Sequence, residues 1–327
     1  SGLSATIGHS GTTTQFDVNG RYDNAPLVVK GSAETGGSPM TLRLDAFSAA
    51  PRGIPVRLDK PSIIAIQNGT ARISGLTIVT GDGRIEVNGT AGSTLDINAE
   101  IRSLPASLAN AFATGLDAAG SISGTVSAKG AASNPSVDYN LNWANAEVSQ
   151  TRAAGLAALG IKANGRFTGG NLQIDTNVSG QGGMLLSGGG SLGIAGNRPL
   201  SMSFSGRLPF SAVAAQTAAQ GLDVDGTAAI DVKISGSASA PVVTGTITTD
   251  GTRLTDVRRN LTVNDLGATI TFDRDRAVIS RLSGRLAGGG TISGTGSVGI
   301  SGGGFPADIS IRLDRAGYND GTLVTTV

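Results

Sequence analysis

The amino-acid sequence points to an all-β protein, an elongated antiparallel meander of amphipathic strands with short helices at repeat boundaries. Three observations lead there. Glycine supplies 50 of the 327 residues, with 11 prolines, no cysteine and 4% aromatics, a composition suited to many strands and tight turns. Apolar residues recur at every second position in segment after segment, the period of a half-buried strand. The pattern also repeats along the chain, and a long internal period dictates architecture before any local feature does.

Composition excludes several other classes. Hydrophobic residues make up 39% of the chain, too many for a disordered one. Glycine follows no Gly-X-Y period, which removes collagen. Lys plus Arg (25) nearly balances Asp plus Glu (24). That leaves no electrostatic footprint for nucleic acid and no polybasic run for anionic lipid. Without cysteine there is no disulfide framework and no thiolate metal site. No stretch approaches the ~18 consecutive apolar residues of a membrane span, and no signal peptide is present. The chain opens on Ser1-Gly2 and stops in the strand-like Leu323–Val327, and is read as a piece of a longer protein.

The repeat sets the organisation. Leu116-Asp117-Ala118-Ala119-Gly120 and Leu222-Asp223-Val224-Asp225-Gly226 stand 106 residues apart, as do Gly130 and Gly236, and Pro135 and Pro241. Gly182-Gly183 through Gly193-Ile194 overlies Gly288-Gly289 through Gly299-Ile300 at the same offset. Leu104-Pro105 and Leu208-Pro209 open the two copies, and a partial copy precedes them. The expected divisions are therefore 1–103, 104–207 and 208–327.

The strands follow in order. In the partial copy Leu95, Ile97, Ala99 and Ile101 alternate with polar residues. In the next, Val137, Tyr139, Leu141 and Trp143 do so, then Leu172, Ile174 and Val178, then Met202 and Phe204. The last copy carries Ile230, Val232 and Ile234; Ile270 and Phe272; Val298 and Ile300; and Ile309, Ile311 and Leu313. Asp82-Gly83, Asn88-Gly89, Asn164-Gly165 and Asp250-Gly251 read as hairpin turns. Asp256–Arg259 and Asp273–Arg276 mix charge and read as solvated hairpin tips. Ordinary strand and loop lengths put roughly nine or ten strands in each copy and roughly 27 in the chain. Two segments break the period. Leu104, Leu108, Phe112 and Leu116 recur every fourth residue after Pro105, and Pro209–Leu222 is Ala-rich. Both suit short amphipathic helices with Pro in the first turn.

Strands apolar on one side must cover that side. They can pack on another sheet, close into a barrel with a dry core, or curl into a trough whose inside stays apolar. A trough lined by aliphatic residues suits acyl chains, which need area rather than directional contacts. The candidate lipid-binding positions are the alternating residues just named, from Leu95 to Leu313, without Ala99 and Val178. Catalytic, metal and cofactor sites are not expected.

The cadence resembles a known family. Gly-Arg-Ile-Glu-Val-Asn-Gly-Thr-Ala-Gly (83–92), Leu-Pro-Ala-Ser-Leu (104–108), Gly-Ser-Ile-Ser-Gly-Thr-Val (120–126) and the Gly and Pro spacing at 130–135 are similar to the TamB proteins of the AsmA-like superfamily. The first ~40 residues match less clearly, and no single motif is specific. The resemblance implies a sheet curled into a U-shaped β-taco with a hydrophobic interior, in a periplasmic bridge held in the inner membrane of Gram-negative bacteria by an N-terminal anchor. It implies a TamA-like outer-membrane barrel as partner, contacted through regions outside this chain. It also implies phospholipid transfer between membranes and support of outer-membrane protein assembly, with no catalytic residue to carry over.

Motifs for other chemistry are thin. His9 is the one histidine, and a histidine site needs partners. Gly299-Ile300-Ser301-Gly302-Gly303 spells a nucleophile elbow, but no histidine follows it, as the motif requires. Asp273 and Asp275 are interleaved with Arg274 and Arg276, unlike a cation site. Two other functions share much of the composition. One is a protein-interaction scaffold that adds a client strand to a sheet edge. The other is a Gly-rich extracellular β-solenoid adhesin, whose coils would be ~20–30 residues long with parallel strands.

Overall fold

The computed structural model describes residues 2–22, 25–111, 113, 115–194, 196, 198–237, 240–300, 306–319 and 324–326. Strand accounts for 72% of the structure. The chain divides into two compact units, residues 1–149 with 162–170 and residues 150–161 with 171–327.

The first unit holds β1 (Leu3–Ser10), β2 (Thr13–Tyr22), β3 (Ala25–Glu34), β4 (Met40–Ala49), β5 (Val56–Leu58), β6 (Ser62–Gln67), β7 (Thr70–Thr80), β8 (Gly83–Ala91), β9 (Thr94–Pro105), β10 (Ala119–Ala131) and β11 (Ser136–Glu147). Each pairs antiparallel with the next, except that β5 and β6 follow one another in the space between β4 and β7. Strand β12 (Leu159–Thr168) follows.

The second unit continues with β13 (Asn171–Ser179), β14 (Leu185–Gly193), β15 (Pro199–Pro209), β16 (Leu222–Asp225), β17 (Thr227–Ser237), β18 (Ala240–Asp256), β19 (Leu261–Arg274), β20 (Arg276–Leu286), β21 (Thr291–Gly299) and β22 (Ala307–Asp314). Strand β17 bridges β15 and β18, and β16 pairs with the far end of β18. A separate pair, β23 (Gly317–Asn319) and β24 (Val324–Thr326), closes the described chain. Every pairing among the described residues is antiparallel, the meander the alternation predicts and the opposite of a parallel solenoid.

Several local expectations are corrected. Among the described residues, six strands lie between the end of β9 and Pro209, where nine or ten were expected, and the meander has 22 strands where roughly 27 were expected. The strands are longer than the common 5–6 residues, because turn-like dipeptides sit inside them. Asn88-Gly89 lies within β8, Asn164-Gly165 within β12 and Asp250-Gly251 within β18. Asp250-Gly251 marks a register slip against β19 between Thr249 and Thr252. The turn after β7 is Gly81-Asp82, one residue earlier than expected, with Gly83 already in β8. The mixed-charge runs do sit at the tips between β18 and β19 and between β19 and β20.

The expected helices are short. After β9 the chain makes only a 3-10 turn, Ala106–Ala111, and Pro105 ends the strand rather than starting the helix. Phe112 lies outside the described residues. In the next copy Pro209 precedes a 3-10 turn, Phe210–Val213. It leads into an α-helix, Ala214–Ala219, with four alanines in six residues. Alanine is the best helix former, whereas Ser107 and Asn110 compete for the backbone in the earlier segment.

The closed core is thin and sits at strand ends. In the first unit Leu58 of β5, Val79 of β7, Ala106 of the 3-10 turn, Ala118 just before β10 and Ala146 of β11 are buried. In the second unit Leu159, Met184, Ala212, Ala228, Val263 and Leu286 are buried at the corresponding ends, with Ala316 packed on Val263 and Leu286.

Candidate functional site

Directly opposed residues of an antiparallel pair share a face, so the registers decide which alternating stripes belong together. In the first unit Leu95, Ile97 and Ile101 of β9 stand opposite Gly130, Ala128 and Gly124 of β10. On the other side of β10, Val137, Tyr139, Leu141 and Trp143 of β11 oppose Ala128, Val126, Gly124 and Ile122. The seven candidates of this unit therefore lie on one face. The same face runs on through Ile85 and Val87 of β8, Ile64 and Ile66 of β6, and Leu42 and Leu44 of β4.

The second unit repeats the arrangement. Leu172 and Ile174 of β13 oppose Leu192 and Gly190, and Met202 and Phe204 of β15 oppose Gly190 and Gly188 on the other side of β14. Met202 and Phe204 then meet Ile234 and Val232, and Gly206 meets Ile230. Ile247 links Ile230 to Ile270, and Gly245 links Val232 to Phe272. Beyond β20, Val298 of β21 opposes Ala277, and Ile309, Ile311 and Leu313 of β22 oppose Gly296, Gly294 and Ile292. Ile300 is the exception, because β21 ends at Gly299. Its N–H instead donates to the Asp275 carbonyl at the hairpin tip (2.8 Å).

This face is covered only in part. None of the candidates is among the fully buried apolar residues. Eighteen, Ile300 included, are half-buried, and Ile309, Ile311 and Leu313 are 50%, 60% and 47% exposed. Residues between them, such as Asp96, Asn98 and Glu100, are exposed on the opposite face. Trp143 keeps its one polar atom satisfied within the sheet, its Nε1–H donating to the Ala119 carbonyl (2.8 Å).

Glycine lets the strands approach on this side. Gly124 (φ +148°) and Gly206 (φ +152°) lie in mid-strand with backbones that L side chains rarely adopt. A Cβ at either would run into a carbonyl oxygen of the neighbouring strand, Asn140 or Leu185. Glycine also hides the pattern from sequence reading. In β14, Leu186 and Leu192 flank Gly188 and Gly190, so the strand was missed as part of the stripe. Ile85, Val87, Ile64 and Ile66 alternate plainly and were legible but left out.

The opposite face carries the charge. Arg166 pairs with Asp138 (2.6 Å), Arg102 with Glu100 (2.8 Å) and Lys30 with Asp17 (2.9 Å). The hydrogen bond from Lys30 holds the Asp17 carboxyl below its ordinary value, and the one from Arg102 does the same for Glu100. These groups are exposed, so each pair contributes little to stability.

Among the described residues no group of three or more His, Asp or Glu could hold a metal ion. His9 is exposed, with its Nδ1 3.1 Å from Thr14 Oγ1. Ser301 of the elbow-like motif lies outside the described residues. No helix among them is long and apolar enough to cross a membrane.

Comparison with known proteins gives one match. The family model of the TamB C-terminal domain fits residues 67–278, more than half of the chain, from the end of β6 into β20. No curated protein and no solved structure matches. The strand ladder, the apolar face and this match agree, and the chain belongs to the TamB family, envelope proteins with a role in assembly or transport beside an outer-membrane partner.

Proposed function

We propose that the apolar face carries phospholipid acyl chains between the inner and outer membranes. The chain is then a periplasmic stretch of a bridge anchored in the inner membrane through a segment outside this sequence. Its role is non-catalytic and needs no cofactor, and a TamA-like barrel is its outer-membrane partner.

One observation carries the reading. Register aligns apolar residues from strand after strand of each unit on a single face, and that face stays half-exposed where a sandwich would bury it. An acyl chain gains from apolar area and asks for no hydrogen bonds, and the stripes provide just that.

The test is native mass spectrometry of the purified chain with photocrosslinking from an unnatural residue at Val232. Co-purified phospholipid crosslinked at that position supports the reading. Crosslinks confined to nascent outer-membrane protein would make the face a protein scaffold instead, and a lipid-free protein without crosslinks would make it a dry surface.

A further inference from the structure

The polar face of the second unit holds a feature that the acyl-chain reading does not use. Across β20, β21 and β22 an open basin of about 390 Å³ is lined by the polar Ser280, Arg281, Ser293, Thr295, Ser310 and Arg312, with Leu282, Gly294 and Ile311 between them, and by no carboxylate. Register assembles it. Ser293 opposes Arg312 and Thr295 opposes Ser310. Strand β20 slips between Ile279 and Leu282, so that Ser280 and Arg281 together face the single residue Thr295. A bulge of this kind re-aims side chains, and here both bulged residues line the basin.

The two guanidiniums lack carboxylate partners, as do Arg72, Arg207, Arg274 and Arg276 among the described residues. Arg285, four residues along the same strand, pairs with Asp265, and Arg102, Arg166 and Arg259 each have an acidic partner. Among the described residues neither Arg281 nor Arg312 forms an ion pair. Their strands are two steps apart, about 10 Å. That is a span two long side chains can close over one small anion. The neighbouring basin, about 400 Å³, shares Arg281 and adds Thr248 and Thr269, with Arg207 at its far side and Asp250 as its one carboxylate.

We propose that the basin between β20 and β22 binds a phosphate group. Each guanidinium offers paired N–H donors in the geometry that matches phosphate oxygens. The hydroxyls of Ser293, Thr295 and Ser310 supply neutral donors for the oxygens that remain, while that of Ser280 donates to the Thr269 carbonyl (3.3 Å). Phosphate suits this set better than a carboxylate does, having more acceptor oxygens than two guanidiniums alone would satisfy. Ile311, an acyl-chain candidate, also borders the basin, but the phosphate contacts come from the polar residues, and variants at Arg281 and Arg312 test them without touching the apolar stripe.

The test is a titration of the whole chain with inorganic phosphate, following arginine Nε–Hε resonances against chloride at matched ionic strength. A second arm measures co-sedimentation with phosphatidylglycerol and phosphatidylcholine vesicles. Arg281→Gln and Arg312→Gln are compared in both arms. Both positions are exposed, and circular dichroism checks that the variants fold. The expected result is a saturable shift at Arg281 and Arg312 but not at Arg102, with phosphate binding weakened at least tenfold in each variant. Arginine-dependent binding to phosphatidylglycerol vesicles would identify a lipid headgroup as the source. Binding of inorganic phosphate alone would identify a soluble phosphate. Absence of arginine-dependent binding in both arms overturns the proposal.

Discussion

Gly124 sits in β10 between Ile101 on one side and Leu141 on the other, and its missing side chain lets the neighbouring strand come close. Gly124→Val is expected to cost at least about 2 kcal/mol, from backbone strain and the collision with the Asn140 carbonyl. Gly8, with open space around its Cβ position, is the control. Gly8→Val should stay within about 0.5 kcal/mol. Urea midpoints check both, and equal shifts would remove the steric account. Burial separates two other positions in β17. Ala228 is 4% exposed at the closed end, while Val232 is half-buried on the apolar face. Ala228→Asp buries an unpaired charge and should cost on the order of 3–5 kcal/mol. Val232→Asp keeps its charge near water and should cost about 1 kcal/mol, part of the transfer energy of one valine, while abolishing lipid crosslinking. A closed core would make the two costs alike.

The hairpin joining β18 and β19 is held by Asp256. Its carboxylate accepts from the Arg258 and Arg259 amides (3.0 Å each) and pairs with Arg259 Nη1 (2.6 Å). The Arg259 side chain is the main reason the carboxyl lies below its ordinary value. A lowered folded value means the folded chain holds this proton less tightly than the unfolded one. The contribution is therefore complete at neutral pH and is lost as pH falls through the lowered value. Amide exchange at Arg258 and Arg259 should accelerate only below an ordinary carboxylate value of 3.8. In Asp256→Asn that acid step should vanish, and its persistence would assign the protection to another group. The position of this hairpin was legible because charge clusters at a solvated tip. The lengths of the strands were not, because a glycine that ends a strand and one that makes room inside a strand look alike in sequence. Asn88-Gly89 in β8 is the example. Asn88 Oδ1 accepts from the Gly75 amide (2.7 Å), a long-range contact that keeps the dipeptide in the sheet.

Trp143 is the chain's one tryptophan and lies on the apolar face, so its fluorescence reports on the proposed path. Phospholipid with brominated acyl chains should quench it, and headgroup-matched lipid without bromine should not. Quenching should weaken in Leu141→Asp, whose side chain is on the same face in the same strand. Unchanged emission with brominated lipid would place the acyl chains elsewhere. The candidate stripes themselves were largely legible. All but Ile300 lie in strands with the expected alternation, because a period of two follows from the pleat alone.

Alternation and glycine content were enough to specify amphipathic strands joined by hairpin turns with short helical turns between some of them, since pleat and turn depend on local backbone geometry. The joining of separate stripes into one face was not local. It rests on registers between strands, and a slip of one residue would turn a stripe to the other side. Folding also settled where the chain is closed and where it is open. Ala228 and Val263, near the strand ends, are buried, while Val232 and Ile270 in the strand middles are not. The basin at Arg281 has the same origin. Ser280, Thr295 and Arg312 are far apart in the chain, and a bulge and two registers bring them together.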